Sequence, residues 1–138
     1  MRISADEARQ RFGTALVARL ATVSEQGRPH VVPCTFAVDG DVVYTAVDHK
    51  PKSTTDLKRL RNISARPAAA LLVDYYDDDW SALWWARADG QASVIADQAA
   101  IAAPVRLLAS RYPQYAARPP GGPVISIAVT HWSGWSAS

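Results

Sequence analysis

The sequence predicts a mainly β fold of the α+β kind: a closed or half-open antiparallel barrel of about six short strands with a few flanking helices. Three observations carry this. Apolar runs rich in β-branched and small residues recur along the chain, as in Val17 to Ser24, Val42 to Val47 and Val124 to Trp132. Turn signals join neighbouring runs by tight connections, at Glu25-Gln26-Gly27-Arg28 and Asp39-Gly40. Finally, 138 residues with 49% hydrophobic content can bury one substantial core, so residues 1–138 read as a single domain. A barrel suits many short apolar strands because closure removes exposed edges.

The elements follow in order. Ser4 with Glu7 makes a capping box, and Ala8, Phe12 and a stop at Gly13 give a short amphipathic helix covering one end of the sheet. Val17 to Ser24 is a strand, and after the Gly27 turn His30 to Val38 returns as its hairpin partner. Pro33 has no N–H for a ladder, which places that point at an edge or a bulge. Asp39-Gly40 launches Val42 to Val47, so three strands are expected to form an antiparallel meander. Ser53 and Asp56 resemble a helix-opening box, with Leu57 and Leu60 on one face and Pro67 beyond the end. Ala68 to Asp74 is nearly all apolar and predicts a strand buried on both faces. Leu83 to Ile95 is a strand region interrupted at Asp89-Gly90, which reads as a hairpin turn or a bulge. Asp97 caps a helix running to about Tyr112, with Pro104 bending it and Pro113 past its end. Val124 to Trp132 closes the chain as a strand.

Charge is gathered in one place. The stretch His49 to Asn62 holds Lys50, Lys52, Lys58, Arg59 and Arg61 against the single acid Asp56, while the whole chain reaches only +2. A helix start beside lysines suits an anion, because unpaired backbone N–H groups and the helix dipole favour phosphate or carboxylate. No run is long or apolar enough to cross a bilayer, and the N-terminus lacks a secretory apolar stretch, so a cytoplasmic protein without membrane attachment is expected. The lone Cys34 has no internal disulfide partner, and His30, His49 and His131 are too scattered to make a metal site. Cys34 lies in a strand-like run and reads as a buried, inert thiol. The run Asp77-Asp78-Asp79 reads as a solvated loop rather than a metal cluster.

Five tryptophans, Trp80, Trp84, Trp85, Trp132 and Trp135, are many for this length. Trp84 and Trp85 are strand neighbours and therefore face opposite sides of the sheet, leaving one of them for a ligand or a subunit partner.

The order of these elements is similar to a known family. A covering helix, the run Ala18-Arg19-Leu20-Ala21-Thr22-Val23-Ser24, the Gly27-Arg28-Pro29 turn and the strand ending Tyr44-Thr45 come first. The basic helix ending Arg61-Asn62-Ile63-Ser64-Ala65-Arg66-Pro67, the strand Ala70-Leu71-Leu72-Val73-Asp74, Trp84-Trp85-Ala86-Arg87-Ala88-Asp89-Gly90 and the terminal Trp132-Ser133-Gly134-Trp135 follow. Together they resemble the pyridoxamine 5′-phosphate oxidase-like split β-barrel family, and most closely its F420-dependent actinobacterial branch. Under this resemblance residues 83–95 form one bent strand.

The resemblance implies an FMN-binding split-barrel type of fold, assembled as a homodimer with two cofactor grooves at the subunit interface. It assigns cofactor contacts to Thr45 and Ala46 and to Lys50, Lys52, Ser53, Thr54 and a helix cation, either Lys58 or Arg59. Trp80 and Trp85 are candidates to stack on the cofactor ring or the substrate. The implied activity is that of an F420-dependent oxidoreductase passing hydride to an unsaturated small molecule, with no obligatory catalytic side chain. Five cations suit the phosphodiester and glutamate tail of F420. One alternative is an FMN-binding oxidoreductase or flavin reductase of the same fold. Another is a non-enzymatic barrel binding single-stranded nucleic acid, which the concentration of cations in one loop and helix disfavours.

Overall fold

A computed structural model describes residues 1–47 and 57–138. The expected helix-opening box of Ser53 and Asp56 lies outside the described residues. The elements are α1 (Ala5–Thr14), β1 (Ala18–Val23), β2 (Pro29–Cys34), β3 (Ala37–Asp39), β4 (Val42–Ala46), α2 (Lys58–Ala65), β5 (Ala68–Tyr75), a 3₁₀ turn (Trp80–Ala82), β6 (Trp84–Ile95), α3 (Gln98–Arg111), α4 (Pro113–Ala117) and β7 (Val124–Ser136).

Among the described residues seven strands, where the sequence suggests about six, form a single antiparallel sheet in the order β2-β1-β5-β6-β7-β4-β3. The expected three-strand meander is not formed. Among the described residues β2 pairs only with β1 and β3 only with β4, so the run read as one arm from His30 to Val38 is divided between the two sheet edges. Thr35 and Phe36 make the crossing. Phe36 is fully buried, its N–H donates to the Tyr112 hydroxyl at 3.0 Å, and its carbonyl accepts from Arg111 Nη1 at 2.9 Å. A local turn signal identifies the β3–β4 hairpin but says nothing about which edge it joins. The barrel is therefore split, with β2 and β3 as its two edges among the described residues. Pro33 does lie on an edge strand, opposite Arg19 of β1, where its missing N–H costs no ladder bond.

β5 is also corrected. Ala69, Leu71 and Val73 are buried, but Leu72 on the other face is 37% exposed, so the strand is buried on one face only. Small alanines make its sequence read as uniformly apolar while leaving the outer face uncovered. β6 is one continuous strand with a register shift at Asp89/Gly90, paired with β5 on one side and β7 on the other. A Cβ at Gly90 would stand 2.2 Å from the Ala128 carbonyl oxygen, so a side-chain-free residue is needed where β7 approaches the bulge.

The barrel interior is filled by Leu20, Val43, Leu71, Val73, Ile125 and Ile127, all fully buried. α1 plugs one end through Phe12, whose ring lies 4.9 Å from Phe36 and 5.3 Å from Trp132. Its start is as read: Ser4 accepts from the Glu7 N–H at 3.1 Å. α3 is capped by Asp97, which accepts from Ala100 N–H at 2.9 Å, and it continues through a buried Pro104 to pack Ile101 and Leu108 against the β3–β4 side. Pro113 opens the short helix α4. Among the described residues, no helix is long and apolar enough to cross a membrane.

Candidate functional site

The split between the two sheet edges opens into a cleft of about 460 Å³. One wall is the β2 edge, with Val32, Pro33 and Cys34, followed by Thr35 of the crossing. The opposite wall is the end of β4, with Ala46 and Val47, and α2 adds Leu57 and Arg59. Tyr115 of α4 lies between them, its hydroxyl 2.9 Å from Thr35 Oγ1.

α2 is held so that its cation reaches this cleft. Leu60 and Ile63 are buried in the barrel core, and Asn62 Nδ2 donates to the buried Thr22 Oγ1 at 3.1 Å. With Leu60, Asn62 and Ile63 turned inward, Arg59 falls on the side facing β2 and β4, where it is half-buried. Lys58, one position earlier, turns away and lines a separate groove with Ser24, Glu25 and Gln26 of the β1–β2 turn. Between the two candidate helix cations, Arg59 is the one in the cleft. Leu57 occupies the N-cap position of α2 without a side-chain hydrogen bond, and Pro67 follows the end as expected.

Ala46 lines the cleft, whereas Thr45 is buried on the interior side of β4 and hydrogen-bonds the Cys34 side chain. Burial pushes the Cys34 thiol above its ordinary pKa, and the Thr45 hydrogen bond and the Arg59 charge oppose that shift. A raised pKa agrees with an unreactive thiol. Lys50, Lys52, Ser53 and Thr54 lie outside the described residues.

Trp80 and Trp85 do not line the cleft. Trp80 sits in the 3₁₀ turn capped by Asp79 and is 74% exposed. Trp85 is on the outer face of β6, with the Arg87 guanidinium 5.7 Å from its ring centre. Trp84 faces the opposite way onto the core, as alternation requires, beneath the Arg11 guanidinium at 5.6 Å. The aspartate run forms a loop: Asp77 accepts from the Tyr75 hydroxyl and the Asp79 N–H, and Asp79 accepts from Ser81. Among the described residues, no group of three His, Cys, Asp or Glu could hold a metal ion.

The contribution to the cleft of β2, through Val32 and Cys34, and of Thr35 in the crossing was missed in the sequence. Only Pro33, which marks an edge strand, signals it.

A half-open, seven-stranded antiparallel barrel with a basic helix beside the split defines a split-barrel protein. The pyridoxamine 5′-phosphate oxidase family profile matches residues 4–136, and the chain belongs to that family. No match is found among curated proteins. Among solved structures it is similar to a conserved hypothetical protein from Mycobacterium tuberculosis, with TM-score 0.78, 16% identity and coverage of 98% of this chain and 86% of that one. A FAD-binding protein from Mesorhizobium loti aligns with TM-score 0.74 and 20% identity over 97% of this chain and 95% of the other. A FAD-binding protein from Mycobacterium smegmatis aligns with TM-score 0.65 and 18% identity over 96% and 93%. At these identities the structural likeness establishes the fold.

Proposed function

We propose that the chain is a flavin-nucleotide-dependent oxidoreductase whose cofactor lies in the cleft between β2 and β4, with Arg59 taking an anionic part of it. The observation that carries this reading is the half-buried Arg59 guanidinium in an otherwise largely apolar cleft. The residues fit such a group. Val32, Val47 and Leu57 offer an apolar wall for a ring system, Thr35 and Tyr115 offer hydroxyls, and a guanidinium pairs with phosphate through two N–H groups. Lys50, Lys52, Ser53 and Thr54 join Arg59 in this proposal on the strength of the family resemblance. A bound flavin supplies two-electron redox chemistry, and the chain's part is to hold it, orient the substrate and exclude water.

Flavin is preferred over F420 because two of the similar structures are described as FAD-binding. The remaining assignments are a homodimer, a small-molecule substrate and a cytoplasmic location. Since neither Trp80 nor Trp85 lines the cleft of its own chain, their stacking role belongs to a dimer in which they reach the partner's cleft.

Side-by-side titration with FMN, FAD and F420 tests the reading, using the chain and its Arg59→Ala variant. Flavin binding weakened in the variant supports it. F420 binding with no flavin binding returns the assignment to the deazaflavin branch, and retention of flavin by Arg59→Ala removes the cleft as the site.

A further inference from the structure

We infer that Thr35 Oγ1, braced by Tyr115, is the hydrogen-bond donor that recognises the pyrimidine edge of the flavin ring and favours its reduced form. This deepens the flavin reading and rests on it. The cleft has two polar sides, supplied by different parts of the fold. Arg59 comes from α2, which is seated on β1 through the bond between Asn62 and Thr22. Tyr115 comes from α4, where it packs in a second core cluster with Ala37 of β3 and Ala46 of β4. Arg59 is the only charged side chain among the described residues lining the cleft, and Thr35 and Tyr115 carry the only hydroxyls among them. The walls between are apolar, through Val32, Val47 and Leu57.

The hydroxyl pair decides which edge of the ring it meets. Burying the carbonyls and N–H of a pyrimidine edge without partners is costly, whereas the dimethylbenzene edge is apolar and needs none. Thr35 is half-buried at the cleft wall, and its Oγ1 lies 2.9 Å from the Tyr115 hydroxyl. A hydroxyl has one proton and two lone pairs, so the bond the two share leaves Thr35 Oγ1 able to take a second partner. With Tyr115 as the donor of that bond, the Thr35 proton is directed to the ligand. The position of Thr35 is fixed by its surroundings. Next to it, the Phe36 N–H donates to the Tyr112 hydroxyl and the Phe36 carbonyl accepts from Arg111, while the Tyr115 ring meets the Tyr112 ring with centroids 5.6 Å apart. A donor held in this way needs no reorganisation when charge appears opposite it. Two-electron reduction places negative charge on the pyrimidine part of a flavin, so the same donor holds the reduced form more tightly than the oxidised one.

Titration of the full chain with oxidised and with dithionite-reduced FMN, together with the reduction potential of the bound FMN, tests this. Thr35→Val is expected to weaken the reduced form about tenfold more than the oxidised form, which lowers the potential by about 30 mV for two electrons. Thr35→Ser, which keeps a hydroxyl, should hold the ratio of the two affinities within about threefold of the parent. Tyr115→Phe should shift the potential in the same direction as Thr35→Val and carries the test should Thr35→Val fail to fold. Arg59→Ala should weaken both forms alike, because the charge of a phosphate does not follow the redox state of the ring. A purely structural tie between α4 and the crossing would lower the thermal midpoint of Thr35→Val and leave the potential at its parental value. Contact with the ribityl hydroxyls instead would weaken both forms equally. Either result overturns the inference, as does a Thr35→Ser chain whose potential matches that of Thr35→Val. A parent that binds no FMN removes the flavin reading and this inference with it. Where the parent binds FMN, Arg59→Ala weakens it and Thr35→Val keeps the parental potential, the inference alone falls.

Discussion

Asn62 and Thr22 are joined by a 3.1 Å hydrogen bond in the barrel interior, tying the basic helix α2 to strand β1. Both side chains are buried, at 4% and 1% exposure, so the bond has no competition from water. Arg59 lies one turn earlier on the same helix, and its direction depends on this seating. Asn62→Ala is expected to cost about 1–3 kcal/mol, because it leaves the Thr22 hydroxyl without its donor. It should also weaken flavin binding, although the Asn62 side chain is turned away from the cleft. Ser64→Ala, which removes only a bond from Ser64 Oγ to the Leu60 carbonyl of its own helix, is the control. Denaturant unfolding and flavin titration on the two variants measure both effects.

The two helix cations are predicted to separate cleanly. Arg59→Ala should reduce flavin affinity by about tenfold or more, the scale of one lost charge-assisted contact. Lys58→Ala should change it by less than about threefold, since Lys58 faces the β1–β2 turn and acts only at a distance through salt-screened charge. Affinities measured at two salt concentrations would show whether any Lys58 effect is of that screened kind.

Gly90→Ala is predicted to destabilise the fold by about 1–3 kcal/mol, as overpacking against an immobile group does. The clashing atom is the Ala128 backbone oxygen, so no side-chain rotation relieves the contact. Gly13→Ala, where an added Cβ meets nothing within 4 Å, is the comparison, and thermal unfolding of both distinguishes a local clash from a general effect of losing glycine.

Asp41 provides a pH-dependent contact. Its carboxylate accepts from Trp132 Nε1 at 2.9 Å and from Arg9 Nη1 at 3.1 Å, and its pKa is lowered from the ordinary 3.8, first by the Trp132 hydrogen bond. A carboxyl depressed in the folded state contributes stability that is present above 3.8 and is lost as pH falls through the lower folded value. The thermal midpoint of the parent should therefore exceed that of Asp41→Asn at neutral pH, and the gap should close on acidification below about pH 3.8.

Cys34 should alkylate slowly. Its raised pKa leaves less thiolate at neutral pH than an ordinary cysteine has, and it sits in the cleft wall. Iodoacetamide labelling is expected to be at least about tenfold slower in the folded chain than in urea, and slower again with saturating flavin if the cleft holds it. Mass spectrometry of the intact chain over time gives both rates.

Much of this protein is legible in its residue order. The Ser4 cap, the Asp97 cap, the Gly27 turn and the Asp39-Gly40 turn are local signals read by near neighbours, and each stands where the sequence places it. The single β6 strand with its bulge agrees with the family resemblance, although Asp89-Gly90 by itself fits a turn equally well. The clustering of cations before and within α2 is likewise a property of the sequence.

Strand partners, and with them the shape of the cleft, are not local. His30 to Val38 looks like one strand because apolar residues continue through it, yet Phe36 is drawn into the core and clamped by Tyr112 and Arg111, residues about 75 positions away. That contact sends β2 and β3 to opposite edges and opens the split that Cys34, Ala46 and Arg59 line. Likewise, Lys58 and Arg59 are equivalent as sequence. Burial of Leu60, Asn62 and Ile63 fixes the rotation of α2, and only that rotation turns Arg59 into the cleft and Lys58 out of it. The sequence determined the kinds of element and the chemistry available, because these follow from interactions a few residues long. The tertiary structure decided which side chains meet, because that depends on which distant apolar surfaces are buried together.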